Sequence, residues 1–349
     1  MPLVNDGITV SKIDATKSDY LVRAKQLLQR FQSSQKVHKS SLPDFVDWLI
    51  SLKPEISSST WRQYKASTIW FLELKKEVEL LEILKNISSD GCRDIREVPI
   101  QKRNTSSRKK KSVTEREEEM IVKYLSSTAS TSFWAKPTLS LFKAILATGL
   151  RPEELKNSFL INENESQGNY EFKALPVLKV KNAKHTNGRS HGEFRHLLLN
   201  HLDEIDLLYI RIALQYANPH SPQGWSKPSG KKATNWHEYY THLRGHFYRV
   251  TSKIFPTASR RVTFYSCRHQ FIANLKKAKY SRDEIAAIVG HATDDTATVH
   301  YGRAKFGRTR KGLPGALPDE VNRIRQVYQD PPSLGSSAAL NRNKERLRH

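Results

Sequence analysis

The sequence predicts a mainly α-helical protein with one small antiparallel β-sheet, arranged as two domains joined by a basic linker. Three observations carry this. Apolar residues recur at helical spacing through residues 16–100 and again over much of 113–328. The run QKRNTSSRKKKS at 101–112 is polar, strongly basic and without apolar periodicity, which marks a linker between the two stretches. Between residues 170 and 199 the pattern turns to short β-type runs around a Gly/Asn/Lys-rich loop. At 349 residues the chain is long enough for two domains.

Residues 1–15 carry no periodic signal and are expected to form a flexible N-terminus. SDYLVRAKQLLQRF then opens on a serine able to cap and places Leu21, Ala24, Leu27, Leu28 and Phe31 on one helical face. SLPDFVDWLISL is a second amphipathic stretch. SSSTWRQYKASTIWFLELKKEVELLEIL reads as a third and longer one, with Trp61, Tyr64 and Phe71 on one side and Arg62 and Lys65 beside them. These two cations, with Arg103, Arg108, Lys109, Lys110 and Lys111 of the linker, are the candidate surface for a polyanion.

Beyond the linker, Thr114 and Glu117 match the Ser/Thr-x-x-Glu capping box ahead of TEREEEMIVKYLSST. KPTLSLFKAILATG is the next helix and stops at Gly149. VLKVK and FRHLLL are the clearest strands of the sheet. IDLLYIRIALQYA is helical, and NPHSPQGWSKPSGKKATN has the composition of a long polar surface loop. Three helices follow, over about Trp236–Ile254, Ser266–Lys277 and Ser281–Val289. PDEVNRIRQVY carries an apolar stripe of Val321, Ile324 and Val327, and residues 329–349 form a weakly ordered tail.

The formal net charge is +23, from 58 basic and 35 acidic residues, and points to nucleic acid as the partner. Two distant cysteines, Cys92 and Cys267, fit a reducing compartment and exclude a disulfide framework. Neither a secretory signal nor an apolar run of the roughly 20 residues that span a bilayer is evident. The expected location is therefore the cytoplasm, with no membrane partner. The histidines give no metal-ligand spacing: HEYYTH is one residue longer than His-Glu-x-x-His, and His185, His191, His196 and His201 are irregularly spaced. His242 and His246 share a helical face without further ligands in the pattern.

Chemistry gathers at three places. In ATGLRPEEL, residues 147–155, a glycine stop and a Pro-initiated helix hold Arg151 at a tight joint, where its guanidinium fits two oxygens of one phosphate and Glu154 can fix its aim. In TFYSCRHQFIANL, Arg268 is expected in the first turn of a helix, where free backbone N–H groups favour an anion. In YSRDEIAAIVGHATDDTATVHYGR, Ser281 and Glu284 form a capping box, Gly290 ends the helix, and His291 emerges on a constrained corner. Thr293 can cap a short helix carrying Tyr301. A phenol so presented can attack phosphorus if cations neutralise the non-bridging oxygens and a proton reaches the leaving oxygen. Lys181 and Lys184, in KVKNAKHTNGR, are the candidates for that proton.

In this order the pieces resemble the tyrosine recombinase (phage-type integrase) family, over most of the chain. ATGLRPEEL resembles its first arginine box, RHQF its second, and GH followed by Tyr about ten residues on its third. The resemblance implies a helical core-binding (SAM-like) domain at 16–100, a mixed α+β catalytic domain at 113–328, and a C-shaped clamp on DNA. It places Arg151, Arg268 and His291 on the scissile phosphate, makes Tyr301 the nucleophile, and puts Glu154 beside the first arginine. The family's hairpin lysine maps best to Lys181, with Lys184 the alternative. It implies site-specific cutting and rejoining of double-stranded DNA at inverted-repeat core or attachment sites through a 3′-phosphotyrosine, without ATP, metal or cofactor. It also implies a tetramer on DNA, with the C-terminal segment on a neighbouring protomer and the protein on the nucleoid when bound. A type IB topoisomerase-like nicking enzyme and a non-catalytic DNA-binding protein of the same fold are the alternatives. One position departs from the pattern: the histidine usual three residues before the second arginine is Tyr265, a poor proton shuttle near neutral pH.

Overall fold

The computed structural model of the chain describes residues 14–34, 41–94, 110–161, 176–183, 190–296, 301–310 and 312–327. It divides into two compact units, Met1–Ser107 and Arg108–His349.

The first unit is helical: α1 (Asp14–Ser34), α2 (Leu42–Ser51), a 3-10 turn at Lys53–Glu55, α3 (Ser58–Lys75) and α4 (Val78–Asn86). Helix α1 begins four residues ahead of the expected Ser18. Ser41 and Asp44 form a reciprocal capping box that starts α2. One long helix was expected over 57–84, but the chain breaks at Lys76, whose left-handed backbone (φ 60°) ends α3 and allows α4 to fold back. The core is built from Leu27, Phe31, Phe45, Leu49, Trp61, Phe71 and Leu84, with Tyr64 packed at its edge. Phe31 lies between Phe45 and Trp48, with ring centres 5.8 and 5.5 Å away.

The second unit is built around α6 (Ala135–Thr148), which is buried almost all round. Against it pack α8 (Glu204–Ala217), α9 (Trp236–Ile254) and α10 (Phe264–Lys277), with α5 (Glu115–Ser127) alongside α6 and α9. The capping box of Thr114 and Glu117 is present as expected. A four-stranded antiparallel sheet runs in the order β1 (Ser158–Ile161), β2 (Val177–Lys181), β3 (Phe194–Leu198), β4 (Gly315–Ala316). Strands β2 and β3 are the two the sequence marked; β1 and β4 are too short to give a period-2 signal. The register pairs Leu178 with Leu197 and Val180 with Arg195, so these four side chains share the buried face. Lys179, Lys181 and Phe194 share the other.

The polar loop 218–235 is better anchored than its composition suggests. Trp225 donates its indole N–H to the Ala217 carbonyl at 2.8 Å, and Ala233 is buried. Helix α11 (Arg282–Val289) is capped by Ser281 with Glu284. The expected C-terminal helix shrinks to α12 (Pro318–Asn322). Its Val321 and the following Ile324 pack on Ala286 and Ala287 of α11, so this stripe is covered by its own unit, while Val327 is exposed. The chain then pairs Arg325 with Thr293. Among the described residues no helix is long and apolar enough to cross a membrane.

Candidate active site

The site forms where α6, α7 (Pro152–Leu155), α10 and α11 meet. Gly149 ends α6 in the left-handed region (φ 66°); a Cβ there would stand 2.1 Å from the Phe271 ring, so only glycine allows this approach of α6 to α10. Arg151 follows as the N-cap of α7, with Pro152 in its first turn. Glu154 accepts from the Arg151 guanidinium at 2.6 Å and from its backbone N–H at 2.9 Å. The joint expected from ATGLRPEEL is therefore present, and one carboxylate fixes both ends of Arg151.

Glu154 also takes a bond the sequence did not announce. Arg195, fully buried on β3, donates to it at 2.8 Å, to the Ile288 carbonyl of α11 at 3.0 Å, and to Asn182 at the end of β2. This single guanidinium ties α7, the β2–β3 hairpin and the end of α11 together. Burial alone would push the Glu154 carboxyl up. Arg195, Arg151 and Arg268 outweigh burial and hold it well below the ordinary carboxylate range. Burial works against the charge of Arg151, but Glu154, with Tyr301 and Tyr265, outweighs it and keeps that guanidinium charged.

Helix α10 starts at Phe264, two residues earlier than the pattern suggested, because Thr263 and Ser266 form its capping box. Arg268 therefore lies in the second turn, away from the free N–H groups of the helix start, and the first-turn expectation is corrected. It is fully buried and aimed by other means. It donates to the Gly149 carbonyl at 2.5 Å and the Val289 carbonyl at 2.8 Å, and lies 3.2 Å from His291 Nε2. Burial and the neighbouring Arg151 bring it down to about 10, so it stays charged near neutral pH. Its Nε has no hydrogen-bond partner among the described residues.

Gly290, at φ 71°, ends α11 and turns His291 inward, where it is buried. Arginine can only donate, so His291 Nε2 accepts from Arg268 and the ring proton sits on Nδ1. Burial, then Arg268, Arg151 and Arg195, hold the ring well below its ordinary value and neutral. His291 Nδ1 is a second buried donor without a partner. Both side chains pack on Tyr301: the Arg268 guanidinium is 5.5 Å and the His291 ring 5.3 Å from the centre of its ring.

The Tyr301 hydroxyl lies 2.9 Å from that of Tyr265. Burial raises the Tyr301 phenol, but Arg268, the Tyr265 hydrogen bond and Arg151 outweigh it and bring it below its ordinary value. Tyr265 moves the other way, pushed up to about 12 by burial and by the charge of Tyr301. These opposite directions favour ionisation of Tyr301 before Tyr265, whose hydroxyl can then donate to the phenolate oxygen. Tyr265 is not a simple packing aromatic. Residues 297–300, on which the expected short helix before Tyr301 falls, lie outside the described residues.

Lys181 is not among the residues gathered here. The pleat puts it on the sheet face opposite Arg195, where it pairs with Glu193 at 2.9 Å beside the Phe194 ring. Lys184 lies outside the described residues; the backbone N–H of Ala183 just before it reaches Glu154 at 3.4 Å. Of the expected DNA-facing cations, Arg62 and Lys111 are exposed. Lys65 is turned inward and donates to the Lys85 and Ile87 carbonyls at 2.8 and 2.7 Å, holding the C-terminus of α4. Lys110 pairs with Glu117 at 2.5 Å. Arg103, Arg108 and Lys109 lie outside the described residues. His196 is paired with Glu320, and His246 contacts the hydroxyls of Ser132 and Thr138.

No protein-family model matches the sequence, and no curated protein matches it. Solved structures do match in fold. The Tn1549 transposon integrase in complex with a circular intermediate DNA superposes with a TM-score of 0.51 over 84% of this chain and 90% of that one, at 15% identity. A second complex of that integrase gives 0.50 over 84% and 91%, at 16% identity. The fold is that of the tyrosine recombinases. At such identity the match speaks for the backbone alone. The tyrosine-recombinase fold here closes around a phenol, two arginines and a histidine drawn from four separate segments. Sequence reasoning missed Arg195 and Asn182, which have no motif around them, and His269, which stood in RHQF but was given no role.

Proposed function

We propose that the chain is a site-specific DNA recombinase that cuts and rejoins strands through a covalent bond between Tyr301 and a DNA 3′-phosphate. One observation carries the reading: two buried donors without partners among the described residues, Arg268 Nε and His291 Nδ1, belong to side chains packed on a phenol whose ionisation is eased. Unsatisfied buried donors are rare, and a cluster of them suits an anion that is brought in. A phosphodiester supplies the anion, and the phenol supplies the nucleophile.

In the proposed reaction the Tyr301 oxygen attacks phosphorus and the bond to the 5′-oxygen breaks. Arg151, Arg268 and the neutral His291 donate to the non-bridging oxygens as charge builds there. The leaving 5′-oxygen takes a proton from a hairpin lysine. Lys181 is the first candidate, with Lys184 the alternative; Lys181 is paired with Glu193 here and would have to leave it to act. The phosphotyrosine retains the energy of the broken bond, so the reverse attack by a 5′-hydroxyl needs no ATP. The integrase or transposon type of reaction, inverted-repeat core sites and a tetramer on DNA belong to this proposal. The net charge of +23 supports a DNA partner.

The test is covalent trapping. A nicked duplex from the ends of the element that encodes the chain, built to lose its free 5′-hydroxyl on cleavage, is mixed with wild type and with Tyr301→Phe. An SDS-resistant adduct with wild type alone is expected. Tight, specific binding of that duplex without an adduct would transfer the reading to a non-catalytic DNA-binding protein.

A further inference from the structure

The proposed reaction needs something to take the Tyr301 proton, and the groups nearest its oxygen do not serve. Tyr265 shares a hydrogen bond with Tyr301 and holds its own proton to about 12. His291 has its free lone pair, at Nε2, committed to Arg268. His191 holds the His291 backbone carbonyl through Nδ1 at 3.2 Å; its Nε2 is buried and without a partner among the described residues, but its ring makes no contact there with the ring of Tyr301.

Among the described residues, the imidazole packed on both tyrosines is that of His269. His269 stands one helical turn after Tyr265 on α10, and helical side chains lean toward the N-terminus, so its ring is carried back toward Tyr265. The two rings meet edge to face with centres 5.1 Å apart. The His269 ring centre is also 4.9 Å from that of Tyr301, closer than the His291 ring. The residue is only 6% exposed, yet among the described residues its Nδ1 has no hydrogen-bond partner. A histidine kept purely for packing would leave this nitrogen unsatisfied, a penalty that apolar residues of similar size avoid.

We infer that His269 is the general base of this site: its ring is packed on that of Tyr301 without a hydrogen bond here, and it accepts the Tyr301 proton once DNA binding brings the two within reach, in place of the imidazole that Tyr265 replaces. This rests on the proposed strand-transfer reading. The O–H bond of Tyr301 breaks as its oxygen bonds to phosphorus, the proton passes to the imidazole, and the electron pair of the broken P–O bond leaves with the 5′-oxygen. On rejoining, His269 returns the proton to the phenol. The charged and titratable groups facing the imidazole are Lys111, Arg268, Lys276, Tyr265 and Tyr301. Burial and the three cations bring it down to about 4, which keeps it unprotonated and able to accept at neutral pH. A DNA phosphate entering beside it offsets those cations and raises its basicity at the moment of need.

The experiment uses the full chain and the trapping duplex, with the phosphate at the cut site carrying either 5′-oxygen or 5′-bridging sulfur. A thiol leaving group, with a pKa of about 8.5, departs without a proton, so sulfur relieves the loss of a general acid but not of a general base. His269→Gln is expected to slow adduct formation by about 10²–10³-fold with either substrate, within the range of a lost acid–base group, and to leave duplex binding unchanged. Wild type should show an acidic limb in its pH–rate profile that is missing from the variant. A second variant guards against a mere packing defect: adding Tyr265→His to His269→Gln restores an imidazole one turn away and should recover the adduct. Adduct rates for His269→Gln within about threefold of wild type would overturn the proposal. So would rescue by sulfur, or failure of the double variant when Tyr265→His alone is active. Absence of any wild-type adduct would instead bring down the strand-transfer reading, and this inference with it.

Discussion

Replacing Glu154 by Gln tests the framework beneath the site. The Glu154 side chain is fully buried, and its carboxylate accepts from the Arg151 guanidinium, the Arg151 backbone and Arg195 at 2.6–2.9 Å. A glutamine keeps the shape but turns an NH₂ toward one of the guanidiniums. Arg151 retains some contact with solvent and can rehydrate in part. Arg195 is 0% exposed and cannot. Its charge is then buried without a counter-ion, a loss of about 3–5 kcal/mol. For a unit of this size that lowers the midpoint of thermal unfolding by roughly 6–20 °C. The sign of the pH dependence follows from the depressed carboxyl. Glu154 contributes its full stability above the unfolded value of about 4.3 and loses it as pH falls toward the lower folded value. The gap between wild type and variant should therefore be flat from about pH 8 to 5 and narrow below about pH 4. Calorimetry on the full chain measures it, following the transition of the second unit by itself because two units need not melt together. A loss below about 1 kcal/mol, or a gap that does not narrow in acid, would refute the argument that this carboxylate is the counter-ion of Arg195.

Gly290→Ala combines a left-handed backbone with a Cβ 2.5 Å from Asn182 Oδ1 and 2.7 Å from Arg195; it should cost about 2–5 kcal/mol by calorimetry and sharply reduce adduct yield. Lys65→Met removes the cation that holds two carbonyls at the end of α4. It should lower the first unit's transition by about 1–2 kcal/mol and leave the salt dependence of DNA binding unchanged, whereas Arg62→Met should reduce that slope by about one charge. Lys181→Met should abolish cleavage of the 5′-oxygen substrate and regain it with 5′-sulfur, while Lys184→Met should cleave both at near wild-type rates in the same gel assay; the reverse pattern would assign the proton to Lys184.

The parts of the site that the sequence displayed are those fixed by signals within a few residues. Gly149 and Gly290 end helices in the left-handed region, and Pro152 starts one, so Arg151 and His291 could be placed on corners from local pattern alone. The capping boxes at Thr114 and Ser281 were legible for the same reason. Where a second signal overlapped, the local reading slipped. Thr263 and Ser266 capped α10 earlier than the apolar face suggested, and Arg268 moved one turn deeper. Lys76 in the left-handed region split a helix that periodicity ran straight through, since nothing in lysine announces that conformation.

What stayed hidden depends on residues far apart in the chain. Arg195 meets Ile288 across 93 positions, and Arg268 meets Gly149 across 119. No local pattern reveals that a strand arginine will be the fully buried tie between a turn, a hairpin and a helix end. The same holds for Lys65 and Lys181, whose charge advertised a surface role. In the fold one is committed to backbone carbonyls, and the other is paired with Glu193 on the far face of the sheet. Charge in a sequence marks where a cation is carried, while its availability to a phosphate is decided by tertiary acceptors that reach it first. Arg268 illustrates both halves of that rule. Two backbone carbonyls fix the ends of its guanidinium, and the unpartnered Nε left over is the donor that a phosphate beside Tyr301 can use.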